Sequence, residues 1–321
     1  MGQIAKRPAT LTIQNGDKAA LPFSSAEYRR RLRELRAVMD RRAIESIVLT
    51  SMHNVAYYSG FLYCSFGRPY ACIVTSDRCV VISANIDGGQ PWRRSHCENL
   101  VYTDWERNNF WRAVQQSVAA ARRIGYEADH LSVSQFQQLA DVFTGASFVD
   151  VAADTMKCRM IKSAEEIVLI TAGARIADLG GKAIREAIAP GVREVDVAIA
   201  GRNAIDTAVA HYFPGSEIRD SWVWFQSGLN TDGAHNPVTT RSFEPGDILS
   251  LNAFTMVSGY YTALERTLFM GQPDAASLRI WEMNVAVHEI GLSLIKPGAV
   301  CSEICVRLNE MLAESGLLQY R

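Results

Sequence analysis

Residues 250–269 read SLNAFTMVSGYYTALERTLF. Two runs rich in β-branched and aromatic residues flank Ser258-Gly259, which predicts a β-hairpin closed by a two-residue turn. The turn also sets the register. With Val257 facing Tyr260, Asn252 faces Glu265. Side chains alternate along a strand, so Asn252, Phe254 and Met256 share one face with Tyr261, Ala263 and Glu265. That face carries a carboxylate, an amide and a phenol among small and apolar neighbours. It resembles the wall of a site more than a core face. Glu265 is the oddity, because a lone carboxylate in a half-buried stretch is costly unless something pairs with it. Two readings follow. Glu265 pairs with an arginine such as Arg266 or Arg241 and holds the sheet, or it waits for a cationic ligand.

Upstream, residues 226–241 read QSGLNTDGAHNPVTTR. Gly, Asn, Asp and Thr dominate, so the segment reads as a loop. His235 lies in its middle. A loop histidine is often only solvated, but loops on rigid scaffolds carry function, and imidazole exchanges a proton near neutral pH. His53, His96, His130, His211 and His288 have no neighbours at ligand spacing. HExxH, GxSxG and a Gly-rich phosphate loop are all missing. In 61–72, FLYCSFGRPYAC, Phe66 and Arg68 sit in a glycine-containing turn. Arg68 is either an ordinary surface arginine or a fork for a carboxylate.

The 321 residues allow about two domains on a prior of roughly 150 residues each. Lys and Arg (33) nearly balance Asp and Glu (34), so charge gives no reason to expect nucleic acid or an anionic membrane as partner. No apolar run is long enough to span a bilayer, and the first residues lack a signal-peptide core. A cytoplasmic setting is expected. The seven cysteines are odd in number and form no CxxC pair. Reduced core thiols are the expectation, with zinc or a disulfide as the other readings.

The first 20 residues read as a loose arm. Ser24 and Glu27 form a candidate capping box before a helix that carries Tyr28, Leu32, Leu35 and Met39 inward and many arginines outward. Strands are expected at 47–50, 71–74, 79–83 and 124–127, and a helix at 110–123. This alternation predicts an α/β domain over residues 1–160. A second capping box, Ser163 with Glu166, opens a helix running to about Ile188 and begins the second domain, 161–321. There, Ile188-Ala-Pro-Gly191 followed by Glu194-Val195 is echoed by Ile295-Lys-Pro-Gly298 followed by Glu303-Ile304. Each copy reads as a helix end and a new start. The first copy's helix leads into a loop and hairpin; the second ends at SGLLQYR, so the chain reads as cut short.

Together these residues resemble a known family. EYRRRLRELRAVM and NVAYYSGF are similar to the N-terminal domain of creatinase and the proline-specific aminopeptidases. RMIKSAEEIVLITAGARIAD resembles the start of their pita-bread catalytic domain. In the metallopeptidase members two metal-binding aspartates stand eleven residues apart on the hairpin, the second three residues before Arg-Thr. Arg266-Thr267 fixes that register here, and the two positions hold Asn252 and Ala263. The resemblance therefore implies the metal-free creatinase branch, with no cofactor, acting on creatine to give sarcosine and urea. It implies that His235 activates water and then protonates the leaving nitrogen. Glu265 would bind the guanidinium group and Tyr261 would line its site. Phe66 and Arg68 would reach the partner's active site in a homodimer, Arg68 holding the substrate carboxylate. Family members continue past position 321 with another histidine, arginine and glutamate. On that basis the 321-residue chain alone is expected to be nearly inactive and prone to aggregate. Another metal-free hydrolase of guanidino or amide compounds, a peptidase-like relative and a non-catalytic binding module are the other readings.

Overall fold

Short apolar strands alternating with capped helices build the first part of the chain. The computed structural model describes residues 7–63, 67–118 and 121–320. It divides into two units, one of Met1–Gly173, Val209–Arg219 and Met256–Tyr261, the other of Ala174–Ala208, Asp220–Thr255 and Thr262–Arg321.

In chain order the first unit contains β1 (Thr10–Leu11), α1 (Ser25–Arg42), β2 (Ser46–Leu49), α2 (Met52–Ser59), β3 (Ala71–Thr75) and β4 (Cys79–Ala84). Then come α3 (Gln90–Arg93), β5 (Glu98–Tyr102), α4 (Asn109–Val118), β6 (Arg123–Tyr126), α5 (Val133–Val142), β7 (Ser147–Asp150) and α6 (Ala152–Met160). The strands form one mixed sheet in the order β1-β5-β4-β3-β2-β6-β7. β2, β3 and β4 run antiparallel to their neighbours in turn, while β4–β5, β2–β6 and β6–β7 are parallel. Alternation along the strands builds two apolar layers. Ile47, Leu49, Cys72, Val74 and Val81 pack with Leu32, Leu35 and Met39 of α1 and Val55 and Tyr58 of α2. Val48, Ile73, Val80 and Ile82 pack with Phe110, Trp111 and Val114 of α4 and Leu139 of α5.

Five expectations change. The arm is not loose throughout: Thr10 and Leu11 pair with Tyr102 and Val101, a strand too short to leave a periodic signal. The expected helix over 110–123 is shorter, because Arg123 already starts β6. At α1 only half of the capping box forms. Ser24 Oγ accepts from Glu27 N–H at 3.1 Å, but the Glu27 carboxylate turns to Arg30 and Arg31. Arg31 is not on the outer face. It is fully buried, donates to Glu27 and to the Tyr57 carbonyl, and lies 4.1 Å from the ring centres of Phe23 and Tyr57. A buried guanidinium needs such company. Finally, Cys79 and Cys97 are not reduced thiols but a disulfide with Cα atoms 5.2 Å apart. The parallel register that pairs Val80 with Glu98 brings the two preceding residues side by side, within disulfide reach.

The second unit holds most of α7 (Ala164–Ala187), most of α8 (Glu194–Tyr212), β8 (Trp222–Ser227), and most of β9 (Ile248–Val257) and β10 (Tyr260–Phe269). It ends with α9 (Ala275–Leu294) and α10 (Cys301–Glu314). The Ser163–Glu166 capping box that opens α7 is complete. α7 and α8 cross closely because small residues meet at the contact. A Cβ on Gly180 would lie 2.6 Å from Ile205, and one on Gly201 would lie 2.4 Å from Ile184. Among the described residues, no helix is long and apolar enough to cross a membrane.

Candidate active site

The hairpin forms as its sequence predicts. Ser258 and Gly259 both have positive φ, 50° and 88°, as a two-residue turn of this hand requires. β9 pairs with β8 on its other edge, with Trp224 opposite Asn252 and Trp222 opposite Phe254. Carried across the turn, this gives two rows over one face of the sheet. The first is Trp224, Asn252, Glu265. The second is Trp222, Phe254, Ala263. Burial follows the alternation. Val223, Phe225, Leu251 and Ala253 are buried on the opposite face, whereas Trp222, Trp224, Asn252 and Phe254 are half-buried. The exposed face therefore presents an aromatic side on β8 and β9 and a carboxylate on β10. The two outer strands are separated by about 10 Å, two strand spacings.

His235 reaches this face from the loop after β8. Its ring lies over Trp224 with centroids 4.9 Å apart and planes at 41°. The side chain is exposed, but the backbone around it is anchored. Gln226 Nε2 donates to the Asn236 carbonyl at 2.8 Å, and Asn236 Nδ2 donates to the Asn230 carbonyl at 2.9 Å. Behind the loop lies Glu194, fully buried at the start of α8. It accepts from Ser227 N–H and Oγ, from Asn230 Nδ2, and from Thr239 N–H and Oγ1. Burial alone would raise this carboxyl's pKa, but the bonds from Thr239, Ser227 and Asn230 prevail and hold it below the ordinary 4.5. The helix N-terminus is also a favourable place for an anion. Glu194 thus fixes both ends of the segment that carries His235.

Asn252 donates to Ser250 Oγ at 3.0 Å, Gln226 Oε1 at 3.3 Å and the Trp224 carbonyl at 3.4 Å. Glu265 is exposed rather than half-buried. The ion-pair reading is not realised, since Arg266 donates to the Glu265 backbone carbonyl and Arg241 pairs with Asp247. Among the described residues the Glu265 carboxylate has no partner. Tyr261, also exposed, stands four residues earlier on β10. Arg68 belongs to the first unit, where it bonds Asp104 at 2.8 Å. Phe66 falls in 64–66, outside the described residues.

Two contributions escaped the sequence reading. Glu194 registered only as a repeat marker, although a loop full of hydroxyl and amide donors calls for a buried acceptor. The aromatic side was signalled by Trp222 and Trp224 at strand spacing just before the loop.

Residues 31–161 match the Creatinase/Prolidase N-terminal domain and residues 168–321 match metallopeptidase family M24. A creatinase of Bacillus sp. is 49% identical over 326 residues, covering 100% of this chain and 79% of that protein. An Xaa-Pro dipeptidase of Lactobacillus helveticus is 24% identical, covering 83% of this chain and 73% of its own length. The prolidase structure from Pyrococcus horikoshii superposes with a TM-score of 0.78 at 20% identity, covering 91% of this chain and 79% of that one. Metallopeptidase relatives imply a metal at the hairpin, but these residues do not fit one. Ala263 offers no donor atom, and the Asn252 side chain is a neutral amide. Among the described residues, the one group of three or more His, Cys, Asp or Glu donors close enough to share an ion is Cys72, Cys79 and Cys97, in the first unit.

Proposed function

This chain belongs to the creatinase–prolidase family, and from that premise we propose that it hydrolyses creatine to sarcosine and urea without a metal. The observation that carries the reading is the row Trp224, Asn252, Glu265, with His235 at one end and, at the other, a carboxylate that has no partner among the described residues. In this reading Glu265 binds the planar guanidinium cation through charge-assisted hydrogen bonds. The flat cation lies over the Asn252–Ala263 strip, where a side chain larger than alanine would intrude. His235 takes a proton from water as the water oxygen attacks the guanidinium carbon. The bond from that carbon to the methylated nitrogen then breaks. The nitrogen takes the proton back from His235 and leaves as sarcosine, and the remaining carbon collapses to urea as its hydroxyl proton passes to the sarcosine amine, which carries away the positive charge. Tyr261 lines the guanidinium side. Phe66 and Arg68 act on the substrate of the partner subunit in a homodimer, with Arg68 exchanging Asp104 for the substrate carboxylate.

The test is urea release from creatine after exhaustive chelation, on the full reading frame with the 321-residue chain run beside it. Urea is expected from the full reading frame. Glu265→Gln is expected to lower kcat/KM roughly 10- to 100-fold, the scale of losing a hydrogen bond to a charged group, ~1.5–3 kcal/mol. His235→Ala is expected to lower kcat about 10²- to 10⁴-fold. No urea from the folded protein, together with dipeptide cleavage that appears on adding manganese, would replace this reading with a peptidase one. The dipeptidase relatives make that the competitor worth testing.

A further inference from the structure

Three neighbouring strands each deliver one sulfur to the apolar layer beneath α1 and α2. Cys72 lies on β3, Cys79 opens β4 and Cys97 immediately precedes β5. The three Sγ atoms lie within 4.8 Å of one another. Cys79 and Cys97 are bonded and Cys72 is free, its sulfur 3.6 Å from that of Cys79.

Cys72 is badly placed to be an alternative disulfide partner. It pairs across the ladder with Val81, and Cys79 pairs with Val74. The two cysteines are therefore diagonal neighbours, with Cα atoms roughly 7–8 Å apart. That exceeds the ~4.4–6.8 Å a disulfide normally accepts. The sulfurs are close enough to share one bound atom, while their backbones are too far apart for a direct bond.

We propose that, once the Cys79–Cys97 bond is reduced, Cys72, Cys79 and Cys97 form a three-coordinate thiolate site for a trivalent thiophilic centre, of which arsenic(III) is the type. Donor number and charge select the ligand. A structural zinc ion asks for four ligands, and among the described residues no fourth His, Cys, Asp or Glu donor joins these three sulfurs. Three thiolates on a monovalent ion carry a net charge of −2, on a divalent ion −1, and on a trivalent centre zero. Uncompensated charge is costly in such surroundings. Access is from the strand starts, because Cys79 and Cys97 keep 9% and 6% exposure against 0% for Cys72.

The chemistry balances. A dithiol or phosphine reductant supplies two electrons, and two protons complete the thiols of Cys79 and Cys97. Arsenous acid, As(OH)3, then exchanges its three hydroxyl groups for three thiols. Three As–S bonds form, and each thiol proton leaves with a hydroxyl group as water.

The experiment uses the full chain with Cys64→Ser, Cys158→Ser, Cys301→Ser and Cys305→Ser, so that only the three strand cysteines remain. After phosphine reduction it is titrated with arsenite, followed by the near-ultraviolet absorption of arsenic–sulfur bonds and by counting alkylatable thiols. One arsenic per chain with all three thiols protected is expected. No binding is expected before reduction. Adding Cys72→Ser should weaken binding by more than about tenfold, a loss that even outer-shell changes reach at metal sites. Protection of two thiols only, or undiminished affinity in the Cys72→Ser chain, overturns the three-sulfur site. Stoichiometric Zn²⁺ or Cu⁺ binding in preference to arsenite overturns the charge argument. The thiol count on the parent chain decides the matter even if the Cys72→Ser chain does not fold.

Discussion

The helix pairs α7–α8 and α9–α10 share a sequence pattern and differ in what they face. In both, a helix ends, a Pro-Gly follows with glycine φ near 80°, and a second helix begins. In the second unit the first pair buries Ile176, Ile184, Val197 and Ile205. Of the second pair, α9 buries Gly291 alone and α10 buries no residue. Its apolar side chains, among them Trp281, Ile304, Leu308 and Leu312, border an open groove of about 710 Å³. The repeated glutamates diverge likewise. Glu194 is fully buried and holds the loop of His235, whereas Glu303 is exposed. A helix–Pro-Gly–helix pattern dictates local geometry; burial and function depend on what lies opposite.

The comparison can be broken most strongly at the glutamates. Glu194→Ala should cost about 3 kcal/mol or more, because several buried donors lose their acceptor at ~1–3 kcal/mol each. Glu303→Ala should stay within about 0.5 kcal/mol. Equal losses in denaturant unfolding would refute the contrast. The glycines come next. Gly201→Ala forces a Cβ against Ile184 and should cost about 1–3 kcal/mol. At Gly291 the nearest atom to a Cβ is Leu308 Cδ1 at 3.4 Å, so alanine there should be neutral or stabilise the helix by up to roughly 1 kcal/mol. Opposite signs in thermal unfolding are the expected outcome.

The smallest effect is in acid. The Glu194 pKa is depressed in the folded state. Its contribution is therefore complete above the ordinary carboxyl value of 4.5 and is lost as pH falls through the lower folded value. Glu194→Gln should flatten that part of the stability–pH curve. An unaltered acid limb in the Glu194 variant would remove the carboxylate from this account.

Much of the site's frame was legible because its signals are local. Strand alternation, a Ser-Gly turn and the two-residue side-chain period were enough to place Asn252, Ala263 and Glu265 on one face. They also marked His235 as a residue of the adjoining loop. The sequence likewise specified the alternating α/β pattern and the capping box of α7, since each depends on residues a few positions apart. Tertiary structure decided the rest, because distant partners determine burial and pairing. It placed Arg31 inside the first unit, where aromatic rings and carboxylates stabilise a charge that helix periodicity assigned outward. It turned Glu194 from a repeat marker into the anchor of a loop more than 30 residues away, with Ser227 and Thr239 both bonded to it. It joined Cys79 to Cys97 through the register of two parallel strands, and it left Glu265 without the arginine that its neighbours in sequence seemed to offer.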